Sequence, residues 1–239
     1  MKTEKYIEQK ERLPKTGKQI IGFKEGENII VYQAFNPGIA GYAVQHHKFG
    51  GSHYSFNRMS WIKPGFLWMM HRAGWAVKEN QQHILAITLP VLHFKKILEQ
   101  ATVSSYNSQL FSTEADWKNE LANTEVRLQW DPDHDPYGNK QERKAIQLGM
   151  KGNLLKQFCT EWITKIEDIT SFVRQGHQKV IDNEIDDLLL PFEEIIELND
   201  ARIEERIGIE RPLKANATTT KNETGNIISP CRPERTGFN

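Results

Sequence analysis

The sequence predicts an α+β fold: a single domain with a mixed or antiparallel sheet and flanking helices, followed by a disordered C-terminal tail. Three observations carry this. Short runs rich in β-branched and aromatic residues, such as Ile29–Phe35, recur along the chain. Between them lie segments of helical periodicity bounded by Pro and Gly. Beyond Gly208, Thr, Asn, Lys and Pro dominate and no periodicity survives.

The elements follow in order. Residues 1–27 are polar and mixed in charge, and read as a loose lead-in to a domain over 28–207. Ile29–Phe35 is the first strand, and Asn36-Pro37 suits a helix start. A helix over Ile39–Phe49 ends at Gly50-Gly51, and His53–Phe56 reads as a second strand. Pro64 opens the next helix and Gly74 stops it. Ile84–Leu89 is a strand, and Phe94–Ala101 and Asp116–Ala122 are helices. Val126–Trp130 alternates apolar and polar residues as a half-buried strand does. Ala145–Leu148 starts a strand or helix, Leu154–Trp162 is helical, and Ile166–Val173 is a strand with a turn. Residues 182–205 hold ten acids against the single base Arg202, with an apolar face from Leu188 to Ile203. That pattern predicts a pair of acidic amphipathic helices. Residues 208–239 form the expected tail.

Composition bounds the function. Hydrophobic residues are 38% and charged residues 26% of 239, enough for a sizeable core. The 31 basic and 31 acidic side chains cancel, so net charge names no partner. Two cysteines make no disulfide framework, and Cys159 reads as a buried, inert thiol. The N-terminal residues are polar, without the apolar stretch of a signal peptide, and no apolar run approaches the ~20 residues of a membrane span. A cytoplasmic protein with no membrane partner is expected, its oligomeric state left open.

Charge distribution says more than charge. Between Glu27 and Glu79 there is no Asp or Glu, while Lys48, Arg58, Lys63, Arg72 and Lys78 all fall inside. A surface built from this stretch attracts anions; the plainer account is a core segment, from which acids are excluded anyway. Arg58 suits bidentate grip of a phosphate, with Ser60 and Lys63 beside it. Trp61, Trp68 and Trp75 recur every seven residues, which within a helix shares one face able to stack a base or nicotinamide ring. His71 and Arg72 complete the candidate ligand-binding set.

A second feature is the segment 131–142. Acids at Asp131, Asp133, Asp135 and Glu142 occupy positions 1, 3, 5 and 12 of a calcium-loop pattern, open to Ca²⁺ or Mg²⁺. Pro136 replaces the glycine that pattern needs, and a rigid turn with Asp side chains capping amides accounts for the same residues. Glu142, at an element boundary beside Arg143, is the candidate general base or sugar-orienting group; a solvated glutamate is the plainer account.

Val31–Pro37, Ser55–Trp75, Val126–Pro136 and Arg143–Gly149 together resemble an uncharacterised family, domain of unknown function 4291, over about residues 28–175. The resemblance implies no activity. A weaker likeness is to ADP-ribosyltransferases, in which a ring-binding polar residue, a serine-bearing strand and a catalytic glutamate occur in that order. Gln33, Ser55 and Glu142 stand in that order here, with Gln33 where His or Arg is usual. This likeness implies NAD as donor.

Three functions are open at this point. The first is a transferase on a nucleotide or nucleic acid, with Glu142 and Arg58 catalytic. The second is a metal-dependent hydrolase or nuclease using Asp131, Asp133, His134 and Asp135. The third is a non-catalytic interaction module.

Overall fold

The computed structural model describes residues 1–210, and the chain is α+β with mostly antiparallel sheets. Residues 1–27, expected as a loose lead-in, carry β1 (Thr3–Lys5), α1 (Tyr6–Arg12) and β2 (Ile21–Glu25). β3 (Asn28–Phe35) hands over to α2 (Pro37–His46), which Asn36 caps by accepting from the Ile39 N–H at 3.0 Å. No strand forms at His53–Phe56; β4 is Ser60–Ile62, shifted to where a partner strand is available. Next comes α3 (Phe66–Ala73), closed by left-handed Gly74 at φ 55°. β5 (His83–Pro90), α4 (Val91–Glu99), β6 (Ala101–Val103) and α5 (Glu114–Asn123) follow.

The expected strand at Val126–Trp130 is longer, as β7 (Val126–His134), and it forms a hairpin with β8 (Lys140–Met150). After α6 (Gly152–Gln157) the helix relaxes into a π-helical turn over Phe158–Trp162. β9 (Lys165–Asp168) and α7 (Thr170–Ile181) complete this part. The expected acidic helix pair is not what forms. Residues 185–187 make a 3₁₀ turn, then β10 (Leu189–Pro191) and β11 (Glu194–Ile195), with only α8 (Ala201–Ile207) helical. Pro191 cannot continue a helix, and β10 and β11 find open edges at β1 and β2. Glu210 N–H reaches the Lys18 carbonyl at 2.9 Å; the rest of the expected tail lies outside the described residues.

The strands form three sheets: β1–β10, β11–β2–β3–β5–β9 and β4–β8–β7–β6. The five-stranded sheet is buried on both faces. Ile29, Val31, Leu85 and Ile87 pack with the inward residues of β7 and β8, among them Leu128 and Leu148. Ile30, Tyr32, Ile84 and Ala86 pack under α3 and α7, with Leu188 and Leu190 from the late segment. Cys159 is buried, and burial pushes its thiol up to about 12, the inert state expected of it. Among the described residues no helix is long and apolar enough to cross a membrane.

Candidate functional site

The site begins where β3 changes partners. Its first half pairs with β2, through Ile30 opposite Phe23. At Tyr32 the partner becomes the chain just after β4: Tyr32 N–H donates to the Lys63 carbonyl at 2.7 Å, and Lys63 N–H returns the bond at 3.1 Å. β4 belongs to the four-stranded sheet, so the two sheets part here and leave an opening between them. Gln33 spans that opening. Its Nε2 donates to Ser60 Oγ at 2.8 Å and to the Trp61 carbonyl at 3.1 Å. A carbonyl only accepts, so the amide nitrogen must face Trp61. Gln33 Oε1 is left buried with no partner, in a residue only 3% exposed.

A cavity of about 560 Å³ lies over this junction, lined by Gln33, Tyr54, Ser55, Arg58, Ser60, Trp61 and Lys63 among others, and by no acidic side chain. Arg58 is exposed and makes no ion pair among the described residues. Lys63 is the opposite case, 6% exposed and without a salt bridge among the described residues. Its Nζ reaches only the Trp61 carbonyl, at 3.5 Å. Burial pushes its pKa down to about 8, the Arg72 charge pushes the same way, and Asp131 pulls against both.

Asp131 enters from the polar side of β7. Val126 and Leu128 face the core, so Arg127, Gln129 and Asp131 share the other face. In register, Gln147 of β8 lies opposite Gln129, and Gly149 lies between Arg127 and Trp61. Gln147 Nε2 donates to both Gln129 Oε1 and Asp131 Oδ2 at 2.7 Å. Gly149 is there for space: a Cβ would stand 2.7 Å from Met59 Sδ and from Trp61 Cε2. Sequence reasoning missed Gln129 and Gln147. The alternation of β7 marks a half-buried strand, but it gives the polar positions no partner.

Several expected residues lie apart from this cavity. Arg72 is exposed, its guanidinium 6.0 Å from the Trp68 ring, and it is not in the lining. Trp68 is buried and stacks on His71 and His134, whose own rings are 3.5 Å apart. Burial, then the neighbouring His134, holds the His71 pKa down; burial does the same for His134. The three tryptophans share no helical face, because Trp61 sits on β4, Trp68 in α3 and Trp75 beyond its end. Glu142 is exposed on β8 and does not line the cavity.

The 131–142 segment is the hairpin that joins β7 to β8. Its three aspartates work separately: Asp131 accepts from Gln147, and Asp133 pairs with Arg143 at 2.6 Å. Asp135 accepts from the Tyr137 and Asn139 N–H groups at 3.0 and 2.9 Å. Among the described residues no group of three or more His, Cys, Asp or Glu is placed to hold a metal. Beside the Asp133–Arg143 pair, Glu193 is buried and accepts from the Phe66 N–H at 2.6 Å; burial raises its pKa to about 8.

The sequence model of one protein family, described as a domain of unknown function (DUF4291), matches residues 19–196. No curated protein matches the chain.

Proposed function

We propose a function from the premise that the chain belongs to the DUF4291 family, whose description names no activity, so that the cavity's chemistry has to supply the reading. The protein is read as a transferase acting on a nucleotide or nucleic acid, with the donor nucleotide seated between Gln33, Arg58, Ser60 and Lys63. One observation carries this: among the described residues, Lys63 is buried at the wall of a cavity lined by no acidic side chain, and no carboxylate is in contact with it. An ammonium in that position is short of a counter-charge, and a phosphate supplies one.

The residues divide the work by type. Arg58, exposed at the rim, suits bidentate capture of a phosphate. Lys63 is held in a drier place, where its positive charge counts for more against negative charge developing on a leaving group. With a pKa near 8 it is mostly protonated at neutral pH. Gln33 Oε1, orphaned by the Trp61 carbonyl, calls for an N–H from the ligand. A carboxamide such as that of NAD offers one, and Trp61 gives the ring a wall.

Titration calorimetry with NAD, its nicotinic-acid analogue, ATP and inorganic phosphate tests the reading. NAD is expected to bind at least about tenfold tighter than the acid analogue, because a carboxylate facing Gln33 Oε1 repels where an amide donates. Arg58→Ala is expected to weaken every phosphate-bearing probe by about 1.5–3 kcal/mol. Absence of heat with all four probes would sink the proposal.

A further inference from the structure

β7 outruns one of its neighbours. On one side it pairs with β8 from Val126 to His134, but on the other β6 accompanies it only as far as Leu128, opposite Val103. The ladder shows which groups this leaves open. The Glu125 carbonyl accepts from the Lys151 N–H, and the Leu128 carbonyl from the Ser104 N–H at 2.8 Å. Odd-numbered residues therefore bond towards β8 and even-numbered ones towards β6. Trp130 is the next even residue, and neither its main-chain N–H nor its carbonyl has a hydrogen-bond partner among the described residues. Pro132, two places on, has no N–H, so the open donor–acceptor pair is that of Trp130 alone.

The chain after β6 turns away instead of covering this edge. Ser104 directs both its N–H and its hydroxyl to the Leu128 carbonyl and then leaves the sheet. Where the next strand residues would lie there is a cavity of about 490 Å³, lined on one side by Ser104–Ser108 and Leu110 and on the other by residues 128–131. It shares no lining residue with the donor cavity. Alternation gives it an apolar side. Trp130 turns to the same face as Leu128 and packs against the core, and Val103 lies opposite Leu128 on that face. The indole N–H donates to the Ile207 carbonyl at 2.7 Å, which fixes the ring. Leu110 reaches the same corner, its Cδ1 3.8 Å from the place a Cβ would take at Gly208.

We propose that this edge docks an extended peptide segment of a partner protein, which sets one residue in antiparallel register opposite Trp130. That residue's N–H donates to the Trp130 carbonyl and its carbonyl accepts from the Trp130 N–H, the reciprocal pair that an antiparallel ladder makes. Residues paired across strands share a face, so its side chain lies with Trp130, Val103 and Leu110 and is apolar, with a β-branched residue preferred. Its two neighbours turn to the other face, alongside the half-buried Gln129 and Asp131, and are polar. A second copy of the chain fits less well, because it would bring its own 104–110 loop to the same edge. The docking uses main-chain groups and none of the donor-cavity residues, so it can be measured whether or not a nucleotide binds there.

The test is an NMR titration of the isotope-labelled full chain, followed at the Trp130 main-chain amide. The probes are acetyl-Thr-Val-Thr-amide, its analogue N-methylated at the valine, and acetyl-Thr-Ser-Thr-amide. The valine peptide is expected to shift the Trp130 amide saturably and to slow its exchange with solvent, while the amides of Gln129 and Asp131, bonded to β8, stay protected throughout. The N-methylated analogue lacks the N–H that the Trp130 carbonyl accepts and should bind at least about tenfold more weakly. The serine analogue, without the apolar side chain, should bind several-fold more weakly. The proposal is overturned by a Trp130 amide unmoved at about 10 mM valine peptide, or by the N-methylated analogue binding as tightly. It is also overturned by Trp130 shifts that follow protein concentration instead of peptide, which would make a second copy the occupant.

Discussion

Lys63 shows how much of the site a single residue type can reveal, and how much it hides. The absence of acids between Glu27 and Glu79 pointed to Arg58, Ser60 and Lys63, which with Gln33 and Ser55 do line one cavity. The signal was readable because charge exclusion is written in residue identities. Gln129 and Gln147 left no such mark, since a neutral amide on a strand looks the same facing solvent or facing a ligand. The buried amine also has a thermodynamic signature. Its folded-state pKa of about 8 lies below the ordinary 10.5, so the charged form costs the folded state about 3 kcal/mol at neutral pH. That cost is complete below pH 8 and disappears as pH rises towards 10.5. Lys63→Met is therefore expected to raise the melting temperature at pH 7, by the equivalent of up to about 3 kcal/mol, while abolishing anion binding. In the unmodified protein, anion affinity should fall as pH rises through 8 and above. A lower melting temperature for Lys63→Met, measured calorimetrically, would show that Lys63 is structural.

At the scale of elements, the sequence located strands and helices better than it located their partners. The helix start at Asn36-Pro37, the stop at Gly74 and the alternation of β7 are local signals: a helix does begin at Pro37 and another does end before Gly74, while the first closes at His46 short of the expected Phe49 and β7 runs past the expected Trp130 to His134. The segment 182–205 was misread because its apolar spacing suits a helix, whereas its fate was set by edges at β1 and β2 far away in sequence. The register of β4 on β8 was equally illegible, although the donor cavity depends on it. Gly149 sets that register's tolerance, since its missing side chain is the space that Trp61 and Met59 fill. Gly149→Ala is expected to cost about 1–3 kcal/mol, the range for overpacking. It should also push Trp61 out of place, so that nucleotide affinity falls along with stability. A variant with unchanged melting and unchanged Trp61 ring resonances would remove this role.

At the scale of the whole molecule, the late segment closes the fold. Leu188, Leu190, Ile196, Leu198, Ile203 and Ile207 are all buried in one or the other core. Removing everything after Val180 uncovers that area, and at about 25 cal/mol per Å² the loss should reach several kcal/mol. Thermal unfolding of the truncated chain measures it, and melting like the full chain would make the segment a free arm. The pairing that closes the fold also imposes a schedule. Gln9 bonds the Pro191 carbonyl across 182 positions, and β2 acquires its β11 neighbour from the same late stretch. At ordinary elongation speeds roughly 10–40 s separate the emergence of these partners. For that interval a growing chain carries an unpaired edge at β2, the kind of surface that recruits other chains. The truncated protein is a standing copy of that moment, and the exposure it displays belongs to the ribosome-bound stage of the protein's life, before the late strands exist to cover it.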